Sequence, residues 1–270
     1  MDGSPEQRRL REQRSRTFGG VAGAYERTRP GYPERATRWL VGERPARVLE
    51  LGAGTGKLTS ALVDAGHDVT ATEPSTSMLI RLAARLDVPC VQATAEALPF
   101  PANSFDVVVA AQAFHWFDLA EALPAIARVL RDDGTLSLAW NLRDETIPWT
   151  RRLTEIIGSE SHDLSVYADE LAMSGLFSVP ERAAFGFWQQ LDLDSLLGLV
   201  ESRSYVASLG QGERDAVLDR VRTLYGDYTT GRNGLRLRYA THCYRATVDK
   251  SALPGDPEPP GGGDLLFDFR

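Results

Sequence analysis

Lysine is almost missing from this chain. Of 30 lysine and arginine side chains only Lys57 and Lys250 are lysines. A GC-rich coding sequence accounts for that bias without any chemistry. Cysteine is scarce as well. Cys90 and Cys243 stand far apart with no metal-like spacing, so a structural disulfide is not expected and a reducing cytoplasm suits the chain. No run of about 18 apolar residues occurs, so no membrane span is expected. The first residues, "MDGSPEQRRLREQRSR", lack the apolar stretch of a secretory signal. A basic excess is also lacking. The formal net charge of -7 argues against a nucleic-acid-binding face. The locally basic residues 1–17 read as a solvated, flexible arm. No G-x-S-x-G elbow is present, which removes support for a serine hydrolase. "ESHD" (160–163) joins acids and one histidine in a polar loop, and no metal is expected there.

What is present is a core-forming pattern. The 43% hydrophobic content suffices for a sizeable interior. Strand and helix patterns alternate from residue 46 to 141. Strands are expected at 47–52, 68–74, 90–95, 105–114 and 135–141. Helices are expected at 57–66, 77–86 and 118–134, the last with a glycine stop at Gly134. Helices of this length between strands indicate βαβ units, a parallel sheet and right-handed crossovers, hence a doubly wound α/β fold. Beyond Asn141 the rhythm changes. Helices are expected at 146–161, 165–176, 194–209 and 212–228, with capping-type starts at Asp194 and Gly212. Strands are expected at 181–193 and 235–248. Residues 18–250 thus read as one domain, and 251–270 as a Pro/Gly-rich tail.

The most telling stretch is "VLELGAGTGKLTSAL", Val48 to Leu62. A dinucleotide-binding turn wants G-x-G-x-x-G under a pyrophosphate. Here the glycines are Gly52, Gly54 and Gly56, and the acid Glu50 precedes them. A carboxylate sits badly beside a pyrophosphate. It suits S-adenosylmethionine (SAM), which carries an ammonium, a sulfonium and no phosphate. Glu73, at the end of the second strand, has the spacing of an acid that bonds ribose hydroxyls. NAD and SAM share that ribose, so Glu73 supports a nucleoside without choosing between them.

With "VTATEPSTSML", "AEALPFPANSFDVVV", "AQAFHWFD" and "FGGVAGAYERTRPGYP" added, the chain resembles the class I SAM-dependent methyltransferases. It is similar to the small-molecule group of the ubiquinone/menaquinone-biosynthesis and trans-aconitate methyltransferases. The likeness covers residues 18–145 most strongly. It implies a mostly parallel, seven-stranded Rossmann-like sheet with helical substrate-cap insertions near 146–181 and 194–230. It also implies a role for each matching position. Glu50, Gly52, Ala53 and Gly54 would hold the methionine part of SAM. Glu73 would hold the ribose and Pro74 the adenine. Thr94 and Ala95 would edge the adenine, although Thr94 stands where many relatives have Asp. Gln112 and Phe114 would sit under the sulfonium. Tyr25 and Arg29 would close over the cofactor.

Methyl transfer needs alignment of nucleophile, carbon and sulfur, and exclusion of water. A base is needed only for a nucleophile that carries a proton. His115, just past the fourth strand, is the candidate base, because imidazole titrates near neutrality. Its alternative role is to line the pocket. Trp116 and Phe117 read as wall or core, Trp140 as core, and Asn141 as a residue that points into the same cleft. The resemblance places Trp149, Arg151 and Arg152 among substrate-cap positions, where an arginine would hold an acidic substrate; read as residues, Arg151 and Arg152 suit a solvated helix face, and His67 reads as surface. The expected partner is a small-molecule methyl acceptor, with S-adenosylhomocysteine (SAH) as the second product and neither nucleic acid nor membrane as partner. Rival readings are a SAM-binding protein without transfer, a partner protein that has lost SAM, an RNA or protein methyltransferase, and an NAD oxidoreductase. The sequence sets no oligomeric state and names no acceptor.

Overall fold

The computed structural model describes residues 28–159, 164–229 and 234–253. Tyr25, the arm 1–17, the ESHD stretch and the tail from 254 onward lie outside the described residues.

Seven strands form one sheet. In chain order they are β1 (Arg47–Leu51), β2 (Asp68–Thr72), β3 (Cys90–Val91), β4 (Phe105–Ala111), β5 (Leu130–Arg143), β6 (Glu181–Leu191) and β7 (Leu235–Thr247). Their order across the sheet is β3-β2-β1-β4-β5-β7-β6. The first five run parallel, while β7 is antiparallel to β5 and β6 antiparallel to β7. The fold is therefore the expected doubly wound α/β sheet, mostly parallel, with an antiparallel pair at one edge.

Among the described residues the α-helices are α1 (Glu34–Val41), α2 (Lys57–Asp64), α3 (Thr76–Ala83), α4 (Leu119–Val129), α5 (Pro148–Ile157), α6 (Leu164–Met173), α7 (Leu193–Glu201), α8 (Ser204–Ala207) and α9 (Gln211–Tyr228). Side chains alternate across a strand, so one apolar strand feeds two cores. On β4, Val108 and Ala110 join the cluster built with Ile126 of α4 and Leu171 of α6. Val107 and Val109 join Leu58 and Leu62 of α2 on the opposite face. A further cluster binds α5, α7, α8 and α9 to β7 through Leu153, Leu199, Val206, Val221 and Leu237. These four helices form a helical cap on β7 with a core of its own. Helix α6 belongs elsewhere: its Tyr167 stacks on Trp140 at 5.5 Å, inside the main core.

Several boundaries differ from the sequence expectation. The helix expected to run to Gly134 ends at Val129, and strand pairing begins at Leu130 opposite Phe105. Asp133 turns the chain with φ 61°, and a side chain at Gly134 would meet the Arg131 carbonyl oxygen at 2.8 Å. Gly134 thus permits a close approach within a strand; it stops no helix. The helix expected over 194–209 is broken into α7 and α8. The Ser202 hydroxyl turns back onto the Leu199 carbonyl, 2.7 Å away, at the break, a bond that competes with helix continuation. The cap of α7 is Asp192, which accepts from the Ser195 amide at 2.8 Å, not Asp194. Helix α9 starts after Gly210, whose amide donates to Glu213, not at Gly212. His67 is 7% exposed and thus buried. Its amide bonds Leu62 at the end of α2, and burial holds the imidazole below its ordinary pKa. Helix α1 has no counterpart in the sequence expectation, because its cap is Pro33 and it offers no hydroxyl or carboxylate signal.

Two isoleucine variants test this core assignment. Ile126 is fully buried and Ile80 is 64% exposed. Ile126→Ala is expected to cost about 2–5 kcal/mol in urea unfolding. Ile80→Ala is expected to cost less than about 0.5 kcal/mol.

Candidate active site

A cavity of about 320 Å³ opens at the C-terminal ends of the parallel strands, within the size range of small-ligand sites. This is where open α/β sheets bind ligands. The loop after β1 forms one wall. Gly52 and Gly54 take φ 65° and 58°, conformations that side chains resist. At Gly52 a Cβ would meet the Ala113 Cβ at 2.7 Å, while at Gly54 it would project into open space. The loop therefore presses on the chain after β4 and leaves its ligand side bare.

Two carboxylates stand behind that loop. Glu50 lines the cavity and is 2% exposed. The Thr59 hydroxyl of α2 donates to its Oε2 at 2.6 Å. Burial pushes its pKa from 4.5 up to about 8, the Thr59 bond opposes the rise, and the neighbouring Glu73 charge adds to it. Glu73 accepts the Gly54 amide on Oε2 and the Ser75 amide on Oε1, both at 2.9 Å. Burial raises its pKa as well, against the pull of those two bonds. The end of β2 is thereby fastened to the glycine loop.

Of the expected site residues, Arg29, Glu50, Gly52, Ala53, Gly54, Gln112 and His115 all line this cavity. Glu73, Pro74, Thr94 and Ala95 do not. They stand past the ends of β2 and β3, with Pro74 and Thr94 exposed and Glu73 and Ala95 buried. Phe114 does not line the cavity either. It is fully buried, edge-on to Trp140 at 6.4 Å and to Tyr167 at 5.9 Å, and its ring belongs to the main core. In the 3₁₀ turn over Phe114–Trp116, His115 and Trp116 line the cavity while the Phe114 ring points into the core and anchors the turn.

Gln112 takes the left-handed φ of 56°. Its side-chain amide donates to the Asn141 carbonyl at 3.2 Å. Asn141 in turn donates to the Gly31 carbonyl at 3.0 Å and accepts from the Thr241 hydroxyl at 2.6 Å. It lines the cavity, in agreement with the sequence expectation. Trp140 lies in the core, and Arg151 and Arg152 are exposed.

Thr55 and Lys57, within the glycine stretch, also line the cavity. Other wall residues have no local signature in the sequence: Tyr32, Ser159, Arg203, Tyr205 and Tyr239 come from four separate segments. The serines on either side of Arg203 in "ESRSY" do not suffice, read as sequence, to break the single helix expected over 194–209. Among the described residues no group of three or more His, Cys, Asp or Glu side chains is placed to hold a metal, and no helix is long and apolar enough to cross a membrane.

The buried Glu50 has a consequence for stability. A carboxyl with a higher pKa folded than unfolded stabilises fully below the unfolded value, near 4.5, and that contribution is lost as pH rises through about 8. Glu50→Gln is therefore expected to raise Tm at pH 8.5 by at least about 3 °C, the shift that roughly 1 kcal/mol gives in a chain of this size. At pH 5 the same variant is expected to leave Tm almost unchanged. Thermal melts of both proteins across this range check the sign.

Comparison with known proteins follows the same lines. A family model described as a methyltransferase domain matches residues 49–138, which span β1 to β5. An uncharacterized methyltransferase of Mycobacterium tuberculosis is 44% identical over 241 residues, covering 88% of this chain and 98% of that protein. A solved structure of a proposed type II methyltransferase from Anaeromyxobacter dehalogenans is 24% identical with a TM-score of 0.60. That likeness covers 80% of this chain and 97% of the other. Phosphoethanolamine N-methyltransferase 2 of Haemonchus contortus, solved with phosphomonomethylethanolamine and SAH, is 17% identical with a TM-score of 0.50. It matches over 84% of this chain and 56% of its own. The two structural likenesses speak for the fold, and the mycobacterial relative speaks for descent: this chain belongs to the SAM-dependent methyltransferase family.

Proposed function

We propose that the protein transfers a methyl group from SAM to a small molecule in the cavity at the strand ends. The observation that carries this reading is the buried Glu50 carboxylate in the wall beside a bare glycine loop. An acid with its pKa raised to about 8 by burial is a poor neighbour for an anion and a good one for a cation. SAM carries two cations, and the open space at Gly54 leaves room for it against the backbone. When bound, SAM supplies a sulfonium-activated methyl group.

The chain's own residues then have distinct tasks. Glu50 and the backbone from Gly52 to Gly54 hold the methionine end. Glu73 receives the ribose hydroxyls while it keeps the loop amide of Gly54. Pro74, Thr94 and Ala95 flank the adenine. Arg29, tied to the cap through Ser202, closes over the carboxylate end. Gln112 positions the segment under the reacting centre. His115 accepts the proton of a hydroxyl or amine nucleophile, and Trp116 beside it excludes water. Their ring centroids are 4.7 Å apart.

Calorimetric titration with SAM and with SAH tests the binding half of the reading. Micromolar affinity is expected. Failure of a folded protein to bind either would sink it. Glu73→Ala is expected to weaken SAM binding by about 1–3 kcal/mol, through loss of charged hydrogen bonds. Unchanged affinity would remove Glu73 from the site. Once an acceptor is in hand, His115→Ala is expected to leave SAH binding intact and to slow transfer by about 10²–10⁴-fold. A loss under tenfold would demote His115 to pocket wall.

A further inference from the structure

Strand β6 closes one edge of the sheet. It pairs with β7 along its whole length, from Glu181 to Leu191, with no shift of register. Among the described residues no strand pairs with its other side. Such an edge offers a row of backbone donors and acceptors. Proteins shield a long one with lysine, proline, a bulge or a covering segment. β6 holds no lysine and no proline, and its register shows no bulge. A covering segment is the device that remains.

The two faces of β6 differ in chemistry, because side chains alternate along a strand. Phe185 and Phe187 are half-buried on one face. Phe185 packs against the residues of α1, and Phe187 stacks on Tyr239 of β7 at 5.4 Å. On the other face Trp188 is 47% exposed. The Arg236 guanidinium lies 4.8 Å over its ring and that of Arg238 5.8 Å away. Arg182 shares this face of β6. Arg238 is paired with Asp144 at 3.3 Å. Arg182 and Arg236 pair with no carboxylate among the described residues.

The chain beyond Leu253 carries the complementary pattern. "PGDPEPPGGG" (254–263) leads into "DLLFDFR" (264–270), with four acids against one arginine in all. In an extended conformation Leu265, Phe267 and Phe269 fall on one side, and Asp264 and Asp268 on the other. Laid beside β6, the first set meets Phe185 and Phe187, and the second meets Arg182 and Arg236. The reach agrees. The end of β7 lies beside the start of β6, since Arg245 pairs with Glu181. Ten residues span up to about 33 Å, and Phe185 lies only about 13 Å along β6 from Glu181.

We propose that the segment Asp264–Phe269 adds to the free edge of β6 as a further strand, its apolar side against the two phenylalanines and its aspartates toward Arg182 and Arg236. Main-chain hydrogen bonds hold an added strand of this kind, and the alternating side chains set its register. The proposal does not depend on the methyltransferase reading. A second copy of the chain is the competing occupant of the edge. The basic arm at 1–17 is the competing partner of the tail.

The test is hydrogen exchange, read amide by amide on the full-length protein, with light scattering on the same samples. The protein is expected to be a monomer. The amides of 182–188 that face away from β7 are expected to exchange about tenfold or more slowly in the wild type than in Phe267→Asp/Phe269→Asp. Residues 105–111 of β4 are expected to exchange alike in both, which shows that the variant is folded. Arg182→Glu/Arg236→Glu is expected to speed the same β6 amides, and Asp264→Lys/Asp268→Lys added to it to slow them again. Equal exchange in the wild type and Phe267→Asp/Phe269→Asp overturns the proposal. A dimer whose β6 protection survives that variant assigns the edge to a second copy and overturns it too. Loss of the protection in Arg8→Gln/Arg9→Gln/Arg11→Gln assigns the tail to the basic arm and likewise overturns it. Failure of the two lysines to restore protection overturns the pairing of the aspartates with Arg182 and Arg236.

Discussion

Glu50 sits almost sealed from water with one hydroxyl donating to it. That burial is unfavourable for the charged form, and the rise of its pKa to about 8 measures the cost. The rest of the site is arranged around this acid. Thr72 donates to its backbone carbonyl at 2.9 Å, so β2 is held beside it. Glu73, one residue further on, grips the Gly54 amide. Glu73 thus stands close enough to raise the cost of ionising Glu50. On the proposed reading, a cation in the cavity beside Glu50 relieves that cost.

The other half of the cavity is built by distance in sequence. Arg29 meets Ser202, Gly31 meets Asn141, and Thr28 meets Gln189, whose side-chain amide donates to its carbonyl at 2.7 Å. None of these pairings is a helix turn or a strand register. Each connects the N-terminal segment to the cap or to the far end of the sheet. The cavity therefore has one wall made by local chain geometry and another made by tertiary contacts.

That division explains what can be read from the sequence. The glycine loop, Glu50 and Glu73 are legible because their chemistry and spacing are local, and the strand and helix alternation needs only periodicity. Arg203, Ser159 and Tyr239 are not legible, since nothing in their neighbourhoods states that the segments converge. The burial of the Phe114 ring is not legible either, because a short turn can send nearby aromatics to opposite sides, and only packing decides which goes inward. His67 looks like surface because it follows a helix-ending glycine. In the fold it is covered. The extension of β5 back to Leu130 is hidden by a stretch, "LRDDG", that prolongs the helical pattern to a glycine while its leucine pairs with Phe105.

The contact between Gly198 and Thr28 has a mechanical meaning. A side chain at position 198 would lie 2.8 Å from the Thr28 methyl, so helix α7 and the segment 28–31 interlock like a key in its ward. The same short segment also satisfies Gln189, Asn141 and Arg29 with Ser202. These bonds hold the segment to the sheet and to the helices at several points at once, so one side of the cavity owes its shape to a few residues far from it in sequence.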